Sequence, residues 1–167
     1  MDNHIIAVVS WIHLIAVVTW LGLIINSALV FLPVMRKLDL AGMRAMFPAF
    51  HKKIVVLSII AVIILAIAGI ILTVTNGTDA GPAHLFANPW STLIVSKHIL
   101  VGAMVVLQAW SLFILQPRLI KLVQSPSSDC VELSIKRLMR LNSLSAILSS
   151  ILGCGVLLII AIVMTFY

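Results

Sequence analysis

Across 167 residues, 62% of the side chains are hydrophobic and 10% are charged, and the mean hydropathy is +1.23. A soluble domain of this length has too little interior to hide that much apolar surface, so the composition excludes a water-soluble fold and makes lipid the solvent. Eleven Lys and Arg stand against five acids. They lie between apolar stretches, where membrane topology accounts for them and no nucleic-acid partner is expected.

The first apolar stretch, residues 5–32, is long enough to cross a bilayer, which takes ~20 residues, and it breaks at Pro33 ahead of Arg36 and Lys37. The Met1-Asp2-Asn3-His4 start has no basic n-region, and the run behind it is too long for a cleaved signal peptide. The first connection holds Arg36, Lys37, Arg44, Lys52 and Lys53, and its middle, 38–50, is expected to lie on the membrane surface as a short helix. A second span covers 54–74. The connection after it, 76–88, is rich in Gly, Pro and Asn, and its Asn76-Gly77-Thr78 sequon matters only in a eukaryotic secretory pathway.

Asn88 and Pro89 then read as the cap and first residue of a third span, 89–115. The last connection carries Arg118, Lys121, Lys136, Arg137 and Arg140. Asp129 and Glu132 have capping-box spacing, so the last helix starts ahead of the membrane and crosses it over 141–166. The expected fold is an all-α integral membrane bundle of four transmembrane helices, one domain over 1–167. Ten of the eleven basic residues sit in two connections on one face. The positive-inside rule makes that face cytoplasmic and puts both termini outside, in a prokaryotic cytoplasmic membrane.

A shift of about 85 residues lays the first helix pair on the second. His13 then meets His98, Pro33 meets Pro117, Leu57-Ser58 meets Leu144-Ser145 and Gly69 meets Gly155, with offsets from 84 to 87. Two pairs of the same topology imply parallel repeats about an axis along the membrane normal. Both histidines would lie roughly 12–14 Å below the outer boundary at ~1.5 Å per residue, facing the bundle centre.

An ionisable group inside a span is costly and marks a site by default. Two imidazoles at one depth suit the axial positions of a b-type haem. Gly102, Gly69 and Gly155 would give a flat ring room, and Trp20 would pack on it. Lys97, the one basic residue outside the two connections, would snorkel to a propionate or another anion. The bland readings are a helix–helix hydrogen bond for each histidine, an interfacial anchor for Lys97 and for the tryptophans, and close helix packing for the glycines. His51, beside Lys52 and Lys53, reads as a headgroup contact, and no role is assigned to His4 or His84. Cys130 and Cys154 give neither metal-ligand spacing nor a disulfide framework. No span contains a carboxylate, which argues against a proton pump or a cation-coupled transporter.

The run His13-Leu14-Ile15-Ala16-Val17-Val18-Thr19-Trp20-Leu21-Gly22, ending in Leu32-Pro33, resembles the first helix of the copper-resistance D (CopD-like) membrane family and of the related HemJ-type protoporphyrinogen oxidases. Trp90 through Lys97-His98-Ile99-Leu100 is similar to their later helix. The HemJ-type resemblance implies a haem on His13, Lys97 at the matching lysine position and oxidation of protoporphyrinogen; the CopD-like one implies copper uptake across the inner membrane. By architecture the chain also resembles the cytochrome b561 group and membrane superoxide oxidases.

The leading expectation is one haem b between His13 and His98, serving electron transfer or oxidation of a small substrate. The alternatives are a copper-handling protein with the same two ligands, and a structural subunit with no cofactor. The expected partners are the lipid bilayer and a quinone or redox protein, with self-association left open.

Overall fold

The structure is a computed structural model, described over residues 3–75, 89–126 and 128–166. In lipid, an apolar run can satisfy its own backbone amides only as a helix or in a closed barrel, and the described residues form helices with no strand among them. α1 (Asn3–Asn26) passes through a π-helical turn, π1 (Ser27–Phe31), into α2 (Leu32–Met35). α3 (Leu40–Thr75) follows, and then α4 (Pro89–Trp110) passes through a second π turn, π2 (Ser111–Leu115), into α5 (Gln116–Gln124). α6 (Asp129–Phe166) completes the order. Four rods result, His4–Met35, Leu40–Thr75, Ser91–Gln124 and Asp129–Val163, each long and apolar enough to cross a membrane. The chain is an integral membrane helix bundle.

The first and third rods do not stop at their prolines, where the spans were expected to end. Pro33 and Pro117 have no N–H and would crowd the carbonyl four residues back. Each follows a π turn whose wider ring absorbs that clash: the Leu32 amide bonds back to the Ser27 carbonyl, and the Gln116 amide to that of Ser111. The helix therefore continues through proline in both places.

The 38–50 segment is likewise no separate surface helix. From Leu40 it belongs to α3, with Met43 and Phe47, one turn apart, fully packed inside. The 36 residues of α3 measure about 54 Å against ~30 Å of hydrocarbon, so the rods project from the membrane. Arg36, Lys37, Arg44, Lys52, Lys53, Arg118, Lys121, Lys136, Arg137 and Arg140 mark the projecting part, called here the basic end.

α6 does begin ahead of its apolar stretch, as expected, but its cap is Ser128 rather than Asp129. The Ser128 carbonyl accepts from the Glu132 amide, and its Oγ accepts from that of Val131. Glu132 pairs with Lys136 one turn on, and that ammonium holds the exposed carboxyl below its usual range. α4 starts at Pro89, as expected; the Asn88 cap, the Asn76 sequon and His84 lie outside the described residues.

The rods pair most extensively as two hairpins, α1 with α3 and α4 with α6. At the basic end one continuous core joins them, built from Phe31, Leu32, Met35, Phe47, Leu119 and Met139, with Phe31 also stacked on Phe50. Polar bonds cross between hairpins at this end. Arg44 donates to the carbonyls of Val123 and Ser125 at 2.6 and 2.7 Å, and Arg36 donates to Ser143 Oγ at 2.9 Å. His51 Nδ1 meets Gln116 Oε1 at 2.7 Å, so His51 is a bridge between hairpins and not the headgroup contact expected of it. Ser111, on π2, donates in turn to Asn142 of α6.

Deeper in the bilayer a second core gathers around Trp20, Leu21, Ile24, Ala61 and Met104. Gly153 of α6 is what lets the hairpins meet there. A Cβ at this position would run into Leu21 Cδ1 and stand 3.2 Å from Met104 Cε. Gly153→Leu should therefore lower stability by ~1–3 kcal/mol in detergent-titration unfolding, as overpacking does. Gly22→Leu, where nothing lies within 4 Å of an added Cβ, should leave the unfolding midpoint in place. Equal midpoints for both variants would show that Gly153 does not set the helix approach.

Candidate functional site

His13 sits on the third turn of α1, where its side chain is half-buried against α3. The contact is Gly69: a Cβ there would lie 3.4 Å from His13 Cε1 and 3.8 Å from Nδ1. Glycine thus leaves a flat place on α3 that the imidazole fills edge to backbone. Its Nδ1 is buried and makes no close hydrogen bond, the Leu65 backbone of α3 interacting with the ring from outside ordinary hydrogen-bond geometry. A buried polar atom left in that state costs ~1–3 kcal/mol.

Across from α1, α4 brings two groups to the same level. Lys97 is half-buried and His98 exposed, both within electrostatic range of His13. The ion pair between Glu132 and Lys136, far away at the basic end, is the one formed among the described residues, so no described acid neutralises Lys97. His98 donates from Nδ1 to the Ile94 carbonyl at 2.7 Å. That bond fixes the tautomer and leaves the lone pair on Nε2, the arrangement of a ligating imidazole.

The two π turns give the register between the hairpins without appeal to residue identity. Ser27 and Ser111 open them, 84 residues apart. In that register the buried positions coincide: Trp20 with Met104, Ile24 with Gln108, Phe31 with Leu115 and Met35 with Leu119. His13 then corresponds to Lys97, both half-buried, and His98 corresponds to Leu14, both exposed. The histidines were expected to face the bundle centre as a matched pair. The structure instead sets Lys97 in the inward position and His98 one residue further round the helix.

The remaining expected residues divide. Trp20 is buried, two turns from His13, with its Nε1 unpartnered. Gly102, one turn beyond His98, has open space where a Cβ would stand. Gly155 packs on Leu100 at an ordinary 3.8 Å, with no imidazole atom within 4 Å. His4 and both cysteines are exposed. Among the described residues no three His, Cys, Asp or Glu side chains come together as a metal-binding set, so the two imidazoles are the donors available to any metal reading.

The sequence reading assigns no site role to the uncharged polar residues inside the spans, Ser58 entering it only through the repeat. Ser58, Asn142 and Ser149 are buried and each has an unpartnered polar atom, and Gln108 on α4 is buried too. Their signal was legible as single polar letters within apolar runs, the kind that glue membrane helices or mark a site.

No protein-family model matches the chain, and neither a curated protein nor a solved structure does.

Because the His13 ring rests on Gly69, Gly69→Leu should displace it. In protein carrying isotope-labelled histidine, the His13 ring resonances should move in Gly69→Leu and stay in place in Gly155→Ala. Unmoved resonances in Gly69→Leu would show that α3 does not position the ring.

Proposed function

We propose that this is a b-type haem protein of the membrane, acting in electron transfer, in which His13 and His98 would hold the haem iron and Lys97 would meet one of its carboxylates. The observation that carries the reading is a chemical complement at one level of the bundle. An imidazole without a close hydrogen bond and a second imidazole with a free Nε2 can each take a Lewis acid, and a half-buried ammonium without a described acid favours an anion. Haem offers both in one molecule, its iron to the imidazoles and its carboxylates to the ammonium.

When bound, haem supplies a one-electron couple whose potential follows axial ligation and burial. The chain's own part is positioning. Gly69 seats His13, the Ile94 carbonyl orients His98, and the open face at Gly102 leaves a planar group room along α4. The apolar helices keep water from the site. The same reading takes the hairpins as parallel copies of one unit, supported by the shared π turn, the shared proline and buried positions 84 apart. In one copy the inward ionisable residue is His13, and in the other it is Lys97.

Detergent-purified protein from haem-replete cells should show a sharp reduced α-band and, by pyridine haemochrome, close to one haem per chain. Both His13→Ala and His98→Ala should lose the low-spin spectrum. Colourless wild-type protein, or a low-spin spectrum kept by both variants, would overturn the assignment.

The basic end is proposed to face the cytoplasm, on the strength of its ten Lys and Arg. Cys130 is exposed at that end and offers a test. A membrane-impermeant maleimide should label it in inverted vesicles and leave it unlabelled in intact cells. Labelling in intact cells would reverse the orientation.

A further inference from the structure

α3 and α4 come from different hairpins, and between them lies a cleft of about 150 Å³ whose floor is Trp20 of α1. Ile63 and Phe113 stand at its sides and are more than half exposed, so it opens to the acyl region of the bilayer. The surface it offers is almost wholly apolar. Trp20 Nε1 and Ser58 Oγ are closed off behind that surface, so an occupant of the cleft meets hydrocarbon.

The basic end begins just beyond it. The bond between His51 and Gln116 sets the register of α3 against α5, and the Arg44 bond to the Val123 carbonyl, seven residues on in both rods, gives the same register. Carried into the membrane, it sets Ser58 level with Ala109, and both line the cleft. Lys52 precedes Ile59 by two turns and so shares the cleft face of α3, ~10 Å nearer the basic end. On the facing rod Ala109, Phe113, Pro117 and Lys121 recur every four residues, kept to one side by the wider π turn, and Arg118 lies beside them. Lys52, Arg118 and Lys121 are exposed, and none has an ion pair among the described residues. The apolar run of α3 starts at Ile54, which puts Lys52 in the headgroup layer.

We propose that one anionic phospholipid binds here, with an acyl chain in the cleft and its phosphate held by Lys52, Arg118 and Lys121. The spacing suits it. Each leaflet has about 15 Å of the ~30 Å hydrocarbon layer, and the cleft from Ile59 to Ile63 is ~10–16 Å from Lys52 along α3. A cavity of ~150 Å³ takes one benzene-sized piece of hydrocarbon, a stretch of one chain, whereas a partner helix is ~10 Å across and does not fit. The charge decides the headgroup: a zwitterionic lipid would fill the cleft equally well but leave three cations without a counter-charge. The bound lipid touches one helix of each hairpin where protein atoms leave them apart. The site stands on the cleft and its cations and does not require the haem.

Trp20 is the reporter for the test. The full chain carrying Trp11→Phe, Trp90→Phe and Trp110→Phe keeps Trp20 as its one tryptophan. It is placed in vesicles of mixed phosphatidylcholine and phosphatidylglycerol, with bromine on the acyl chains of one lipid or the other. Quenching is read against the same protein in unbrominated vesicles, so a bound chromophore cancels. Brominated phosphatidylglycerol should half-quench Trp20 at a mole fraction several-fold lower than brominated phosphatidylcholine. Lys52→Gln should cut that preference about fivefold, as loss of one cation beside an anionic headgroup does. Arg137→Gln, the same charge change on α6, which contributes no described residue to the cleft, should leave it in place. Ala109→Leu, which fills the cleft, should protect Trp20 from both lipids while helical content is retained. Equal quenching by the two lipids overturns the proposal, since any chain then fills the cleft. So does a Trp20 that neither lipid quenches, the result if a second copy or another protein covers it. Quenching unchanged in Ala109→Leu, or a preference lost as much in Arg137→Gln as in Lys52→Gln, overturns it too.

Discussion

Everything in this bundle depends on how its two hairpins are joined, because lipid gives them no reason to join. Apolar helices gain nothing by leaving acyl chains for one another, so association in the membrane rests on close packing and polar bonds. The rods escape that limit by projecting into water at the basic end. There the hydrophobic effect acts in full, and Phe31, Met35, Phe47, Leu119 and Met139 close one core across both hairpins. Arg36, Arg44 and His51 add hydrogen bonds across the same seam. Inside the bilayer the junction is narrower, with Gly153 against Leu21 and Met104 as its tightest point. The cleft between α3 and α4 is the other side of this distribution: where nothing drives the hairpins together, they stand apart.

The architecture was legible in the sequence because hydropathy alone demands it. Four apolar runs and two basic connections leave few arrangements, and the rods fall where the runs lie. The ends were harder to place for a physical reason. A proline after an apolar run normally ends a helix, and at Pro33 and Pro117 it does not, since a π turn takes up the clash. A π turn has no composition of its own, so it leaves no trace in a hydropathy profile. Segment 38–50 was misplaced differently. Its charges suggested the membrane surface, yet Met43 and Phe47 lie one turn apart and bury together, the pattern of a helix packed in a core.

The site shows how much one residue matters on a helix. Matching the rare letters pairs His13 with His98 at an offset of 85, and variable connections make such an offset acceptable. The π turns and the buried positions give 84. One residue is ~100° around the axis, enough to carry His98 from the interior to the exposed face and bring Lys97 inward. The residues that would form the site were all visible in the sequence; the faces they occupy were not. His51 was misread for the opposite reason, its lysine neighbours pointing to lipid headgroups while its ring turns to Gln116.

Among the described residues the buried polar atoms divide into those with partners and those without. At the basic end Arg36, Arg44 and His51 have partners across the seam, and Ser111 has one within its own hairpin. His13 Nδ1, Trp20 Nε1 and Ser58 Oγ, on the hairpin of α1 and α3, have no partner, and neither do Asn142 Nδ2 and Ser149 Oγ on α6. Each is a cost of ~1–3 kcal/mol that sequence choice could have removed with an apolar residue of similar size. A molecule that binds there and meets these atoms relieves the cost only in the folded state, and so stabilises that state by linkage. The tightly bonded basic end makes the arrangement tolerable, because it fixes the helices independently of whatever fills the other half. A bundle built this way draws the specification of its fold from the end where bonds and packing cross between hairpins.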